Sequence, residues 1–411
     1  MRPCAGPSGP EAAFRYQECC FMRVAWRQLH CISGDIGVIV HGPRGCGHDF
    51  SLPTTRGERL SAACTDMTET QVVMGGETCL AEKIDALFKK SRPEAIFVLG
   101  TCVSELIGDD VRKIAALAEA RLGVPVVALP TSGLAGMEAR DPRALGLTAL
   151  AERVMKPGRR CGRTVNFIGQ SWPSDARLEA ELGRRLAALD VRLQSVLTGS
   201  PTLAQLRKAP AAALNVVALS EHSRGFGELL EARFGQPYIL VPSDPGIGST
   251  SRFFRAILER LGAGRSRLAV VEGWDRKESA KLRAEHPGLA GRTVGLVWRR
   301  PNWDRVAPFA ELGLDVTVLT AEAPSPQDEA ERRRLGVRLE RRDPAASEGW
   351  SRFELLYAEE PAWPGPASHR PNRHMRPLSC FPLYEGMRAL ALELETELGS
   401  GFFRSYGSYL A

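Results

Sequence analysis

The chain has 411 residues, of which 44% are hydrophobic and 25% are charged, with a formal net charge of +6 at pH 7. This length is too great for one compact core and predicts two to four domains. The small positive charge is spread among acidic residues, which argues against a nucleic-acid partner. Because the sequence has no run of eighteen apolar residues and no apolar segment of a secretory signal, we expect a cytoplasmic protein without a membrane partner.

Apolar runs that are typical of buried parallel strands recur along the chain and alternate with helical patterns. The predicted strands are, in chain order, Ile36–Val40, Ala95–Leu99, Val124–Leu129, Val165–Ile168, Leu214–Leu219, Tyr238–Val241, Leu268–Val271, Thr293–Val297 and Val316–Leu319. The predicted helices include Leu80–Lys90, Asp109–Leu122, Ala176–Leu189, Gly227–Phe234 and Arg252–Leu261. This alternation predicts an α/β fold with mostly parallel sheets that carry helices on both faces.

Two turn-rich breaks divide the predicted elements into three groups. One is the basic stretch at residues 156–162, and the other, at residues 283–292, contains a His-Pro-Gly turn. These breaks predict domains at residues 1–160, 161–290 and 291–411.

Three of the ten cysteines lie at or near the ends of predicted strands. Cys46 follows the first predicted strand, Cys102 follows the second, and Cys64 lies between these strands in the chain. Ligands of open α/β sheets bind outside the carboxyl ends of the strands, and thiolates are the soft ligands that iron–sulfur clusters require. We therefore predict Cys46, Cys64 and Cys102 as metal ligands, which makes residues 1–160 a cluster-binding domain.

Glycines surround the first of these cysteines. Cys46 stands in the segment HGPRGCG at residues 41–47, where Gly45 and Gly47 flank it directly. The missing side chains allow the backbone to approach a bulky cluster, whose sulfur atoms can accept hydrogen bonds from backbone N–H groups. Gly45 and Gly47 are thus predicted to contact the cofactor.

The spacing of the three cysteines leaves more than one interpretation open. Their intervals of 18 and 38 residues differ from the close cysteine pairs of zinc ribbons and ferredoxins. Three thiolates also fall short of the four that an ordinary cluster takes, so another ligand comes from elsewhere or a second chain supplies it. A cluster at a subunit interface is the simple solution. The alternative is that these cysteines are buried small apolar residues without a metal.

Four segments together resemble the catalytic-component subunits of nitrogenase and its relatives. They are His41-Gly-Pro-Arg-Gly-Cys-Gly47, Cys64-Thr-Asp-Met-Thr-Glu69, Val73-Met-Gly-Gly-Glu77 and Thr101-Cys-Val-Ser-Glu-Leu-Ile-Gly-Asp-Asp110. Their order and spacing also match that family. The resemblance is strong over residues 30–130, fair to about residue 260 and faint afterwards.

The resemblance implies three Rossmann-like domains and a complex of homologous α-type and β-type subunits, usually α2β2. It implies an eight-iron cluster of the P-cluster type between the two chains, with Cys46 and Cys102 as terminal ligands and Cys64 bridging the two halves. This chain has no phosphate-binding Gly-x-x-x-x-Gly-Lys-Ser/Thr loop. The resemblance implies that a separate ATP-dependent iron protein supplies the electrons. The cluster would relay electrons to a cofactor in the α subunit, and no catalytic acid or base is expected here.

Two features favour a β-type subunit within that family. The segment at residues 64–69 is similar to the β version, and residues 217–224 lack the cysteine with which α subunits anchor their cofactor. The short chain with all three cysteines favours the reduction of small methylthio-alkanes. The alternatives are the β subunit of a dinitrogen-reducing nitrogenase, a tetrapyrrole reductase subunit, and a cofactor-assembly scaffold.

Other polar and small residues near the motifs have structural explanations. Asp109 and Asp110 suit the N-terminal end of a helix, and Gly75 and Gly76 suit the start of the helix at residues 77–90. The remaining cysteines match no ligand position of the family and are expected as unligated thiols. They include Cys4, Cys19, Cys20, Cys31, Cys79 and Cys161.

Overall fold

Strands and helices alternate throughout the structure, as the hydrophobic pattern predicts. A computed structural model describes residues 20–30, 32, 35–51, 61–134, 142–169, 176–218, 221–242, 244–298, 300–341, 352–358, 373–374 and 383–399. These residues form three sheets, and the strand pairs with an assigned register are all parallel. The predicted α/β fold with parallel sheets is therefore confirmed. In the part of the chain described, no helix is both long and apolar enough to cross a membrane.

The first sheet has the strand order β2-β1-β3-β4. Its elements are α1 (Phe21–His30), β1 (Ile36–His41), a 3-10 helix (Arg44–Ser51), β2 (Ser61–Cys64), α2 (Glu69–Met74), α3 (Glu77–Ser91), β3 (Ala95–Gly100), α4 (Cys102–Leu106), α5 (Val111–Leu122), β4 (Val126–Leu129) and α6 (Pro142–Arg153). Cys64 pairs with Val40, and Gly100 pairs with His41, so the strands beside β1 end level with it.

The second sheet has the strand order β6-β5-β7-β8. Its strands and the neighbouring helices are β5 (Cys161–Ile168), α7 (Ala176–Ala188), β6 (Arg192–Val196), α8 (Leu203–Lys208), β7 (Ala212–Ala218), α9 (Glu221–Phe234) and β8 (Tyr238–Val241). A short 3-10 helix at residues 209–211 leads into β7.

The third sheet has the strand order β11-β10-β9-β12-β13. The remaining elements are α10 (Ile247–Arg260), α11 (Arg265–Glu285), a 3-10 helix (Pro287–Leu289), β9 (Thr293–Trp298), α12 (Trp303–Glu311), β10 (Asp315–Thr320), α13 (Pro326–Leu335), β11 (Arg338–Arg341), β12 (Leu355–Ala358), β13 (Arg373–His374) and α14 (Leu383–Gly399).

Both faces of the first sheet are buried, which explains why its strands are continuous apolar runs. Val38 and Val40 point to the face that α1 covers with Trp26. Ile39, between them, points to the opposite face, which α3 covers with Leu80. Each such side chain stabilises the fold by about 1.5–3 kcal/mol when it is removed from water.

The domain division at residues 160 and 290 stays a prediction. The second and third sheets begin at Cys161 and Thr293, but the chain forms two compact units. One unit comprises residues 1–175 and 190–240, and the other comprises residues 176–189 and 241–411. The helix α7 belongs to the second unit, unlike the strands that flank it in the chain, because it packs with α14. There Glu181 Oε2 accepts the Glu385 N–H at 3.0 Å.

One predicted strand is wrong. Residues 268–271 lie in α11, a helix of 21 residues that runs from Arg265 to Glu285. Val271, Glu278 and Leu282 are its buried residues, at intervals that fit one face of a helix. A run of four apolar residues fits a buried strand and a buried helix equally well, so its period does not distinguish them.

Candidate metal centre

The three predicted ligands belong to three neighbouring segments at the carboxyl edge of the first sheet. Cys64 is the last residue of β2, Cys46 lies in the 3-10 helix after β1, and Cys102 is the first residue of α4 after β3. Because β1 lies between β2 and β3, this edge gathers all three segments. The strand β2 escaped prediction because its sequence, SAAC, has no large apolar residue.

The cysteines differ in exposure, and their charges interact. Cys46 and Cys64 are half-buried and pack against the same apolar core as Cys20, whereas Cys102 is exposed. Burial raises the pKa of the Cys46 thiol, and the neighbouring Cys20, Cys64 and Cys102 raise this pKa further. The structure therefore brings Cys20 to the predicted ligands, although the sequence predicts it as an unligated thiol. Cys4, Cys19 and Cys31 lie outside the described residues.

The Cys64 thiol has partners for both of its protonation states. Burial raises its pKa, while the backbone N–H groups of Asp66 and Gly47 lower it by donating to the sulfur. In the protonated form, Sγ donates to the carbonyl oxygens of Gly42 at 3.4 Å and Pro43 at 3.6 Å. Metal ligation requires the thiolate, and the Gly47 N–H is then already placed to stabilise it.

The glycines around Cys46 play different parts. A Cβ built on Gly45 would meet no atom within 4 Å, so this position faces open space. A Cβ on Gly42 would lie 2.5 Å from the Thr101 hydroxyl oxygen, so this glycine permits close packing of two loops. Among the described residues, no three His, Cys, Asp or Glu side chains converge tightly enough to hold a single metal ion. The soft thiols and the open space at Gly45 are what an iron–sulfur group requires of its ligands and its surroundings.

A side-chain cap fixes the start of the helix that carries Cys102. The Thr101 hydroxyl oxygen accepts the Ser104 N–H at 3.3 Å, and Ser104 Oγ accepts the Thr101 N–H at 2.9 Å. The Thr101 hydroxyl in turn donates to the His41 carbonyl oxygen at 2.9 Å. The Cys102 backbone is therefore tied to the end of β1.

A buried histidine–carboxylate pair lies beneath the cysteine segments, and sequence reasoning missed it. His41 Nε2 lies 2.8 Å from Asp109 Oδ2, and both side chains are almost fully buried. Asp109 also accepts the Gly76 N–H, so it serves the start of α3, while Asp110 caps α5 by accepting the Lys113 N–H at 3.0 Å. Burial lowers the pKa of His41, and the Asp109 carboxylate opposes that effect.

Exposed apolar side chains lie on the two short helices next to the cysteines. Val73 and Met74 at the end of α2 are each 80% exposed, and Leu106 at the end of α4 is 75% exposed. Gly75, the residue after α2, lies near Asp109, since a Cβ on Gly75 would lie 3.5 Å from the Asp109 carboxylate. Adjacent large apolar side chains as exposed as Val73 and Met74 are typical of a surface that another chain covers.

Known proteins are similar to this chain in sequence and in fold. The family model described as nitrogenase component 1 type oxidoreductase matches residues 19–356. The nitrogenase iron-molybdenum cofactor biosynthesis protein NifE of Rhodobacter capsulatus is 31% identical over 302 residues, which cover 69% of this chain and 62% of that protein. NifE of Methanococcus maripaludis strain S2 is 28% identical over 304 residues, covering 71% of this chain and 62% of that protein. This chain therefore spans less than two thirds of the length of these relatives.

Two further similarities extend the comparison. The nitrogenase molybdenum-iron protein alpha chain of Clostridium pasteurianum is 28% identical over 218 residues, which cover 50% of this chain and 40% of that protein. A chain of the solved structure described as "Nitrogenase Cp1 at pH 5" superposes with a TM-score of 0.63 at 19% identity, covering 92% of this chain and 88% of that chain. The superposition shows a shared fold.

Proposed function

Because this chain belongs to the nitrogenase component 1 type oxidoreductase family, we propose that it holds an iron–sulfur cluster through Cys46, Cys64 and Cys102 together with a second, homologous chain. The observation that carries this proposal is the gathering of the three cysteine segments at one sheet edge. The exposure of Cys102 and of the apolar side chains on α2 and α4 supports a cluster that a partner covers. An α2β2 assembly and an eight-iron cluster of the P-cluster type remain predictions.

We propose that the complex assembles a metal cofactor rather than consuming a substrate. The support is that two of its relatives are named as iron-molybdenum cofactor biosynthesis proteins. The second candidate is a nitrogenase-like reductase subunit that relays electrons from an ATP-dependent iron protein. Similarity to a molybdenum-iron protein alpha chain favours this candidate. The β-type assignment and the reduction of methylthio-alkanes stay predictions within it.

The residues of this chain would bind the cluster and tune it. A bound iron–sulfur cluster supplies one-electron redox chemistry. The thiols of Cys46 and Cys64 lose their protons on ligation, against the burial that raises both pKa values. The Gly47 and Asp66 N–H groups offset part of that effect at Cys64 and donate to the ligand sulfur.

Anaerobic reconstitution with ferrous iron and sulfide tests the cluster, with the full chain purified together with its partner. We expect several iron atoms per complex and an EPR signal that Cys64→Ala removes or alters. Cys161→Ala is the matched control, because Cys161 is exposed on β5 and is no predicted ligand. About eight irons would support the P-cluster type and about four a smaller cluster. Absence of iron in a complex that still forms would overturn the proposal.

A second measurement distinguishes a role in cofactor assembly from a role in substrate reduction. The loaded complex is mixed with a cofactor-free nitrogenase component, and transfer is followed by the activity that the recipient gains. In parallel, the complex receives an ATP-dependent iron protein and either small thioethers or dinitrogen. Gain of activity by the recipient supports the assembly role. Release of methanethiol or ammonia by the complex itself would replace that role with the reductase function.

A further inference from the structure

His41 contacts all three cysteine-bearing segments. Its own backbone continues from β1 into the loop that carries Cys46. Its carbonyl oxygen accepts the hydroxyl of Thr101, the residue before Cys102, at 2.9 Å. Its ring Nδ1 lies 3.2 Å from the hydroxyl oxygen of Thr65, the residue after Cys64. The backbone of His41 thus anchors the Cys46 and Cys102 segments, and its side chain contacts the Cys64 segment.

Asp109 fixes the orientation of the His41 ring. The ring Nε2–H donates to Asp109 Oδ2 at 2.8 Å, and the same carboxylate accepts the Gly76 N–H at 3.0 and 3.1 Å. A Cβ on Gly76 would lie 2.7 Å from the carboxylate and 2.9 Å from the ring, so the pair is packed without free space. A carboxylate partner is a common means by which proteins set the tautomer and direction of a histidine.

A short chain of contacts leads from the ring to the Cys64 sulfur. The Thr65 hydroxyl oxygen accepts the Gly42 N–H at 2.9 Å, and its proton is shared between His41 Nδ1 and the Gly42 carbonyl oxygen, each 3.2 Å away. That carbonyl oxygen accepts the Cys64 S–H at 3.4 Å. The position of the Gly42 peptide therefore depends on the ring and in turn positions the thiol.

We propose that His41, held by Asp109, is a positioning residue whose ring sets the placement of the Cys64 thiol relative to the Cys46 and Cys102 segments that its backbone joins. This inference rests on the proposed function, because it names the residue that aligns the cluster ligands. His41 reaches the ligands only through Thr65, Thr101 and the Gly42 peptide, so its effect is on geometry.

The first test uses the metal-free full chain, so that it does not depend on iron uptake. His41→Gln and Asp109→Asn are treated with limiting iodoacetamide, and the alkylation rate of each cysteine is measured by peptide mass spectrometry. We expect Cys64 to react about two- to tenfold faster, because the hydrogen bond from its S–H to a displaced Gly42 carbonyl oxygen is lost. The Cys161 peptide provides the internal reference. His286→Gln is the matched control, because His286 Nδ1 pairs with Glu395 at the same 2.8 Å within the other unit.

The second test uses the reconstituted chain. We expect His41→Gln to change the g-values or reduction potential of the cluster while most of the iron is retained. A lower melting temperature with unchanged Cys64 alkylation and unchanged EPR would indicate a purely structural histidine and overturn the inference. If the wild type binds no iron, the proposed function fails, and the alkylation rates still decide about His41. If His41→Gln does not fold, Thr65→Val is used in both tests, since it keeps the His41–Asp109 pair.

Discussion

Burial of His41 favours its neutral form in the folded chain. Its pKa lies below the ordinary value of 6.5 because of burial, with Asp109 and Glu77 acting in the opposite direction. Below pH 6.5 the unfolded chain binds a proton on this ring more readily than the folded chain does. The His41 contribution to the free energy of unfolding is therefore present above pH 6.5 and is lost as the pH falls towards the folded pKa. Burial raises the pKa values of Glu181 and Asp244, so their contributions to the free energy of unfolding change with pH in the opposite direction.

We expect the difference in free energy of unfolding between wild type and His41→Gln to shrink with acidification. Each pH unit below 6.5 removes up to about 1.4 kcal/mol of the wild-type advantage until the folded ring is protonated. Taking this difference cancels the contributions of Glu181 and Asp244. Urea unfolding at pH 7.5 and 5.5 measures it. An equal difference at both pH values would show that the ring has the same pKa in the folded and unfolded chains, which contradicts the effect of burial on His41.

Asp66 adopts a left-handed backbone conformation next to the Cys64 segment. Its φ is 56°. Its N–H lowers the pKa of the Cys64 thiol, and its carboxylate raises that pKa. Asp66→Gly should preserve stability or raise it by up to about 1 kcal/mol, while Asp66→Val should lower it by about 1–2 kcal/mol. Asp190, with φ 57°, is the matched control. Its variants should shift the melting temperature alike but leave Cys64 alkylation unchanged, whereas Asp66→Val should alter both.

At the scale of elements, the sequence predicts those strands and helices whose apolar residues recur with a regular local period. The buried strands β1 and β3 are long apolar runs, and the glycine-flanked Cys46 follows one of them, so both the sheet and its ligand edge are predictable. The strand β2 carries only small residues, and its place beside β1 comes from pairing with an already formed strand. His41 and Asp109 lie 68 residues apart, and their contact depends on the end of β1 meeting the loop between α4 and α5. No local pattern records such a contact.

Two glycines near helices should respond in opposite directions to alanine substitution. A Cβ on Gly76, before α3, would lie 2.5 Å from Met67 and 2.7 Å from Asp109, so Gly76→Ala should lower the free energy of unfolding by about 1–3 kcal/mol. A Cβ on Gly183, inside α7, would meet no atom within 4 Å. Gly183→Ala should therefore raise the free energy of unfolding by about 0.5–1 kcal/mol. Chemical denaturation measures both, and equal signs would contradict the packing described around His41.

At the scale of the molecule, one compact unit is built from two separate parts of the chain, residues 176–189 and 241–411. Arg185 of α7 joins these parts. It forms an ion pair with Glu278 of α11. Its guanidinium carbon also lies 4.9 Å from the ring centre of Trp274 and 4.7 Å from that of Tyr384. A single side chain thus connects three helices, α7, α11 and α14.

Arg185→Met should destabilise the unit that contains the third sheet without affecting the first sheet. The substitution removes both ring contacts, the ion pair with buried Glu181 and one of the two arginines that pair with Glu278. Arg388 still pairs with Glu278, and Glu181 still accepts the Glu385 N–H. We expect the free energy of unfolding to fall by about 2–3 kcal/mol, which is less than the fall expected for a buried carboxylate left wholly unpaired. Hydrogen exchange should accelerate in α11 and α14 and stay unchanged in β1 and β3. Arg163→Met, which breaks an exposed pair with Asp190, should have almost no effect, since such pairs contribute at most about 1 kcal/mol. Uniform acceleration of hydrogen exchange across both units would instead mean that the chain unfolds as one cooperative body. The stability of the sheet edge that carries the cysteines would then depend on Arg185 as strongly as the stability of α7 does.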